Sequence, residues 1–190
     1  WGNDMTKKIM IVGVGGQGTL LTSRIIGKAA LAEGCDVKIS EVHGMAQRGG
    51  SVVTYVRYGE KVYSPIITEG EADIIISFEK LEAARYARFL KKDGKIVVNT
   101  QQIDPMPVIT GAAEYPENIL DELSAKVKVD ALDALSLATE AGSAKAVNIV
   151  LMGRLAKYFD ISYDKWIEAI ETTVAERFVE LNKKAFELGY

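Results

Sequence analysis

The N-terminal part of this chain combines a short apolar run, a glycine cluster and a helical pattern. Ile9 to Val12 is continuously apolar, and Gly13 to Gly18 has the pattern G-x-G-x-x-G. A short apolar run bounded by glycine is typical of a strand buried on both faces, as in a parallel sheet. A second strand is predicted over 37–42, and Gly34 is a stop signal for the intervening helix. The sequence therefore predicts a β-loop-α-β unit. The apolar residues of the predicted helix recur at helical spacing: Leu20, Leu21, Ile25, Ala29 and Ala32.

The middle of the chain predicts a hairpin. The segment 51–58 is β-branched and alternating, Gly59-Glu60 has turn character, and 61–66 reads as the returning strand. The other predicted elements of this region are strands over 73–77, 95–99 and 127–129, a helix over 81–90 that ends at Gly94, a loop over 100–116 and a short helix over 117–125.

The C-terminal part is predicted to be helical from about residue 132. The segment 146–159 is apolar nearly all round, which predicts a helix inside the domain or an interface. The fold is thus expected to be a Rossmann-like three-layer α/β fold, with a mostly parallel sheet, an antiparallel hairpin and a helical C-terminal segment. We expect one domain over 5–190 and interpret residues 1–4, which precede Met5, as an expression remnant. A single stripe is predicted for the final helix: Ile170, Val174, Phe178, Leu181, Ala185 and Leu188.

The composition excludes several classes of function. The chain has 190 residues, 23 basic and 26 acidic, with a formal net charge of -3 and no basic stripe, so nucleic acid is not an expected partner. One cysteine and one histidine cannot build an iron–sulfur cluster or a cysteine-rich zinc site, and no metal site is expected. No apolar run approaches the ~20 residues of a membrane helix. We expect a cytoplasmic protein without a membrane partner.

The first candidate site is the glycine loop, with Gly13, Gly15, Gly16, Gln17 and Gly18 as candidate cofactor-binding residues. Glycines allow a tight turn and a close approach to a ligand, and the following helix N-terminus presents free N–H groups to an anion. Glu41, at the end of the second strand, occupies the place of a ribose-binding acid. A nicotinamide or flavin enzyme is therefore one interpretation, and a tight turn without a ligand is another.

The second candidate site is the segment 43–51, directly after the second strand. Open α/β sheets bind ligands at this carboxyl edge. His43, Gln47 and Arg48 are candidate catalytic residues, and Arg48 can form two parallel hydrogen bonds to a phosphate or carboxylate. The alternative is that His43 and Arg48 only tie the loop to the hairpin. The candidate binding residues of this segment are Arg48, Gly49, Gly50 and Ser51.

The two glycine segments together resemble the γ-type domain of 2-oxoacid:ferredoxin oxidoreductases. The resemblance rests on 11–18 (IVGVGGQG) and 41–52 (EVHGMAQRGGSV), and it continues into Asp130-Ala131, Gly142 and 148–153. Within that family the chain is most similar to the small subunit of the indolepyruvate type. The first motif alone is common, whereas the second is specific.

The resemblance implies a subunit of an enzyme that oxidatively decarboxylates a 2-oxoacid, such as indolepyruvate or another arylpyruvate, to the acyl-coenzyme A and passes electrons to ferredoxin. It implies that thiamine diphosphate, Mg²⁺ and iron–sulfur clusters belong to a large partner subunit, and that coenzyme A is the co-substrate. Pyruvate- and 2-oxoglutarate-type γ domains share these motifs, so the substrate stays open. An NAD-dependent dehydrogenase and a nucleotide-sensing module are the other hypotheses.

Overall fold

The structure, a computed structural model, describes residues 6–43 and 49–190. These residues form a six-stranded sheet in the order β2-β3-β1-β4-β5-β6. The strands are β1 (Lys7–Val14), β2 (Asp36–His43), β3 (Ser51–Gly59), β4 (Ala72–Ser77), β5 (Leu90–Asn99) and β6 (Lys128–Leu132). The helices are α1 (Thr19–Ala32), α2 (Lys80–Tyr86), α3 (Met106–Ile109), α4 (Ile119–Ser124), α5 (Ala134–Ala141), α6 (Val147–Ala156), α7 (Tyr163–Glu171) and α8 (Val179–Gly189).

The sheet is mostly parallel. Strands β1, β4, β5 and β6 pair in parallel, while β3 is antiparallel to both of its neighbours, β1 and β2. Along β1 the side chains alternate between two apolar cores: Ile9 and Ile11 pack on one face, and Met10 and Val12 on the other. All four are fully buried, which confirms a strand buried on both faces. Helices cover both faces of the sheet, so the predicted three-layer fold class is confirmed.

The prediction that β3 pairs with a returning strand over 61–66 is wrong. Residues 61–66 form no strand, and the antiparallel hairpin is instead β2 and β3, joined across 44–50. Both edges of β3 are already occupied by β1 and β2, so no edge is left for a returning strand. Side chains hold the 61–66 segment instead: Asp36 Oδ2 accepts a hydrogen bond from Val62 N at 2.9 Å, and Arg57 Nη1 donates to Ile66 O at 3.0 Å.

The prediction that Gly94 ends a helix is wrong. Gly94 is an interior residue of β5. The helix is shorter than expected, because α2 ends at Tyr86 and a 3₁₀ turn over 87–89 leads into the strand. A Cβ atom at Gly94 would lie 2.9 Å from the carbonyl oxygen of Asp73. The register of β4 and β5 shifts at this place, between Ala72 and Ile74. The glycine therefore permits a close approach of two strands.

The predicted stripe of α1 is only partly correct. Ile25 and Ala29 are fully buried, whereas Leu20 is 43% exposed and Ala32 is also exposed. The predicted stop is confirmed, since α1 ends at Ala32, Gly34 adopts φ +83° and Cys35 N donates to Ala30 O. This is the bonding pattern of a glycine-terminated helix.

The prediction of a single final helix is wrong, because the structure has two separate helices there, α7 and α8. Helix α7 ends at Glu171, and Ala175 has an extended backbone (φ −62°, ψ 141°). The Thr172 hydroxyl donates to Glu168 O at 2.8 Å. Such a bond from a side chain to a nearby carbonyl competes with the backbone hydrogen bonds that would continue the helix. Phe178, placed in the buried stripe by the prediction, is 45% exposed.

Helix α6 confirms the buried helix predicted from 146–159, although it is shorter and is preceded by a 3₁₀ turn over 144–146. Val150, Leu151 and Met152 are fully buried. The helix crosses α8 so closely that a Cβ atom at Gly153 would lie 2.1 Å from Phe186 O. None of the helices in the described part of the chain has the length and apolar character required to cross a bilayer.

Candidate functional site

The first glycine loop connects the carboxyl end of β1 to the N-terminus of α1. Gly16 and Gly18 adopt positive φ angles of 99° and 87°, which favour glycine. The Gln17 side chain closes the loop, since its Oε1 accepts from Val14 N at 2.7 Å and its Nε2 donates to Phe78 O at 3.2 Å. The amide of Gln17, predicted to bind a ligand, thus makes bonds within the protein. Gly16 is exposed beside it.

The N-terminus of α1 lies against α6. Asn148, which is 4% exposed, donates from Nδ2 to Gly18 O at 3.4 Å. A Cβ atom at Gly18 would lie 2.7 Å from that nitrogen. Sequence reasoning placed Asn148 in a helix of the C-terminal part and in the stretch 148–153 that continues the resemblance, but it assigned this residue no role in a site. The structure brings it to the glycine loop from 130 residues away in the sequence.

The second glycine segment lies directly beside the first. Gly15 N donates to Gly50 O at 2.9 Å, and Gly49 has a φ of +77°. His43 is the exposed last residue of β2, opposite Val52 of β3. Gln47 and Arg48 lie in 44–48, outside the described residues. The structure therefore joins the two candidate segments at one edge of the sheet, as the carboxyl ends of β1 and β2 require.

A buried glutamate that the sequence analysis did not single out contacts the second segment. Ser51 Oγ donates to Glu82 Oε2 at 2.5 Å and lies 3.1 Å from the Tyr86 hydroxyl. Glu82 is 5% exposed, and burial raises the pKa of its carboxyl, although the bond from Ser51 and the nearby Arg85 act in the opposite direction. A glutamate in the first turn of a helix carries no signal by itself, because such residues are common there.

Glu41 does not stand free for a ribose. Its Oε2 accepts from Thr19 Oγ1 at 3.2 Å and from Thr54 Oγ1 at 3.1 Å. The carboxylate thereby links β2 to the first turn of α1 and to β3. These contacts give Glu41 a structural role.

Two clefts open at this edge of the sheet. The larger, of about 660 Å³, is bordered by Gly16 to Gly18 and also by Gln101, Leu135, Lys145 and Asn148. The smaller, of about 230 Å³, is bordered by Gly49 to Ser51 and also by Glu79, Glu82, Arg85 and Asp104. A helix N-terminus and a lysine in one cleft can bind an anion. Within 6–43 and 49–190, no group of three or more histidine, cysteine or acidic side chains is arranged to hold a metal ion.

Comparison with known proteins identifies the family of this chain. The family model for pyruvate ferredoxin/flavodoxin oxidoreductases matches residues 8–190. The chain belongs to this family. The resemblance drawn from the two glycine segments is thereby confirmed.

Relatives within the family narrow the similarity to one type of subunit. The chain is 45% identical to the indolepyruvate oxidoreductase subunit IorB of Thermococcus kodakarensis, over 95% of this chain and 93% of that protein. It is 44% identical to the subunit of the same name from Archaeoglobus fulgidus, over 98% and 94%. Among solved structures, the γ subunit of a keto/oxoacid ferredoxin oxidoreductase from Geobacter sulfurreducens matches with a TM-score of 0.72 and 25% identity, over 96% of this chain and 95% of that chain.

Proposed function

We propose that this chain is the small subunit of a ferredoxin-dependent oxidoreductase that decarboxylates indolepyruvate, or another arylpyruvate, to the acyl-coenzyme A. The observation that carries the proposal is the hydrogen bond from Gly15 N to Gly50 O, which joins the two glycine segments that together resemble the family. The similarity to two IorB subunits supports the arylpyruvate type over the pyruvate and 2-oxoglutarate types.

The redox chemistry is assigned to a large partner subunit. Iron–sulfur clusters require several cysteine thiolates, and this sequence has one cysteine. Thiamine diphosphate with Mg²⁺ would supply the decarboxylation, and the clusters would carry electrons to ferredoxin. The residues of this chain would bind and orient the co-substrate and complete the shared site.

The larger cleft suits the phosphate end of coenzyme A. The N-terminus of α1 presents backbone N–H groups there, and Lys145 adds an exposed positive charge. Gly16 can approach a phosphate closely, because nothing occupies the 4 Å around the place of a Cβ atom. Arg48 is proposed, from the sequence, as a second phosphate or carboxylate ligand.

The same edge of the sheet carries exposed apolar side chains that suit a protein partner. Exposed apolar side chains grouped on one part of a surface mark protein interaction sites. We therefore place the large subunit on this edge, against the residues Leu20, Val42, Met106, Ile109 and Leu135.

Two observations disfavour the NAD-dependent dehydrogenase and the nucleotide sensor. Glu41, which would bind a ribose, is engaged by Thr19 and Thr54. The chain also continues from β2 into the antiparallel strand β3, where a dinucleotide fold continues into a crossover helix.

Co-expression of this chain with its large subunit tests the proposal. The purified complex should reduce ferredoxin when given indolepyruvate and coenzyme A, with a higher kcat/KM than for pyruvate or 2-oxoglutarate. Omission of coenzyme A should abolish formation of the acyl thioester. A stable complex that is active only with pyruvate, or an isolated chain that oxidises a substrate with NAD, would contradict it.

Arg48→Ala tests the contribution of the 43–51 segment within that complex. A charge-assisted hydrogen bond to a phosphate or carboxylate contributes about 1.5–3 kcal/mol, so kcat/KM should fall by roughly 10- to 150-fold. Arg48→Lys should recover part of the loss, because an ammonium cannot form the paired bonds of a guanidinium. The control is Arg88→Ala, since Arg88 is exposed and pairs with Glu69. Normal kinetics with a lowered Tm would assign Arg48 to loop structure.

A further inference from the structure

The stretch 78–82, which comprises the connection between β4 and α2 and the first turn of α2, binds three loops that border the two clefts. Phe78 O accepts from Gln17 Nε2 of the first glycine loop, at 3.2 Å. Glu79 Oε1 accepts from Ile103 N of the loop after β5, at 3.3 Å, and from the Tyr115 hydroxyl. Glu82 binds the second glycine segment through Ser51, as described above. The short stretch 78–82 therefore sets the relative positions of the loops.

The contact between Ser51 and Glu82 has a defined direction. An ionised carboxylate only accepts hydrogen bonds, so the Ser51 hydroxyl donates to Glu82. The Tyr86 hydroxyl, 3.1 Å away, is then left to donate to Ser51 Oγ. The result is a chain of donors that ends on the negative charge. Bonds to an ionised acceptor are roughly twice as strong as neutral ones.

Burial makes the charge on Glu82 unfavourable for folding. The carboxyl has a raised pKa, chiefly because of burial and also because Glu79 lies nearby, while Ser51 and Arg85 act against the shift. Arg85 Nε lies 3.3 Å from Glu82 Oε1, and its own side chain is 51% exposed. Among the described residues, Tyr86 on the same helix reaches Glu82 through Ser51, Tyr55 on β3 interacts with Tyr86, and Asp104 of the loop after β5 borders the same cleft. A neutral side chain of the same shape would avoid this cost.

We propose that Glu82 is a positioning residue, which holds Gly50 and Ser51 in place so that the affinity for coenzyme A depends on the charge at Glu82. The inference rests on the proposed function, in which the first glycine loop borders the coenzyme A cleft, and that loop is bonded to Gly50 through Gly15. The Ser51 bond acts on Gly50, which in turn accepts from Gly15 of the first loop. Loss of the charge would thus loosen the bond between Gly50 and the first glycine loop.

Kinetics of the complex provide the first test. Glu82→Gln keeps the shape and removes the charge, so the KM for coenzyme A should rise about ten-fold while kcat stays within about two-fold. Ser51→Ala should cause a similar or larger rise, and the double variant should be no worse than Ser51→Ala alone, because both changes act on the same hydrogen bond. The exposed Glu122→Gln is the control.

The pH dependence distinguishes positioning from simple packing. As the pH falls through the raised pKa of Glu82, the wild-type carboxyl is protonated and its KM should approach that of Glu82→Gln. The variant should show no such rise over the same range. Additive effects of Ser51→Ala and Glu82→Gln, or an unchanged KM, would overturn the proposal.

Two measurements on the full-length chain keep the test independent of catalysis. A glutamate with a raised folded pKa destabilises the protein above that pKa, so Glu82→Gln should have an equal or higher Tm at pH 7. Exchange of the Gly15 amide hydrogen should nevertheless become about ten-fold faster, because its acceptor Gly50 is no longer held. Unchanged exchange would overturn the positioning role. A wild-type complex that reduces no ferredoxin would instead defeat the proposed function, while the exchange result would still stand.

Discussion

The glycines of the first loop differ in what they do. Gly13 lies within β1, where a Cβ atom would meet Gln17 Oε1 at 2.9 Å and Phe78 Cβ at 3.2 Å. Gly16 adopts a positive φ in open surroundings, while Gly18 combines a positive φ with the contact to Asn148. One sequence pattern therefore serves packing, a tight turn in open surroundings and contact with a distant helix.

Comparison of Gly16→Ala with Gly18→Ala should separate backbone strain from crowding. Both place a Cβ atom at a positive φ, which costs about 1–2 kcal/mol. Gly18→Ala must also displace the buried Asn148 amide, so we expect a total loss of about 2–4 kcal/mol in the free energy of unfolding. Urea denaturation of the two variants measures the difference. Equal losses would show that Asn148 adapts without cost.

At the scale of elements, two helices of the C-terminal part pack with their backbones in near contact. A Cβ atom at Gly153 of α6 would lie 2.1 Å from Phe186 O, and one at Gly189 of α8 would lie 1.9 Å from Val150 O. Because α6 also carries Asn148, the spacing of this helix pair bears on the glycine loop. The crossing thus couples the helical layer to the site.

Gly153→Ala and Gly189→Ala should each force the helices apart. Overpacking against a backbone atom should reduce the free energy of unfolding by at least about 3 kcal/mol, or prevent folding. Gly27→Ala in α1 is the matched control, since its Cβ would crowd the flexible end of Ile39 at 2.9 Å, make an ordinary contact with Val37 at 3.6 Å and meet no backbone atom within 4 Å among its nearest neighbours. Helix propensity favours alanine by about 1 kcal/mol, so that variant should stay near the wild-type stability. Thermal and urea denaturation measure all three, and a stable Gly153→Ala would contradict the close crossing.

At the scale of the whole molecule, the chain supplies loops and an apolar edge but few groups for redox chemistry. The sequence has a single cysteine, Cys35, which lies at the helix-to-strand connection and has a pKa raised by burial. Its thiol is held away from the thiolate form that binds metals. This composition supports the proposed assignment of the redox cofactors to a partner subunit.

The purified chain should accordingly be colourless and contain neither iron nor thiamine diphosphate, and it should not decarboxylate a 2-oxoacid. Visible absorption and iron analysis of the chain alone check this, with the co-expressed complex as the positive control. A brown chain with stoichiometric iron would contradict the assignment of the clusters to the partner.

Local patterns in the sequence were sufficient to predict that the strands β1, β2 and β4 and the helices α1 and α6 exist. The periodicity of apolar residues and the glycines that end helices depend only on residues close together in the sequence. The two glycine segments and their place after β1 and β2 were also predicted, and with them the family. The roles of Gln47 and Arg48, which lie in 44–48, stay predictions.

Tertiary structure decided what depends on residues far apart in the sequence. Because β3 lies between β1 and β2, the segment 61–66 has no free edge of β3 to pair with. Gly94 lies within a strand, where the absence of a side chain allows β4 to approach closely. Glu82 and Asn148 reach the glycine segments from 31 and 130 residues away. Such contacts leave no periodic trace in the sequence, because a buried carboxylate or amide is defined by the partner it meets and not by its neighbours along the chain.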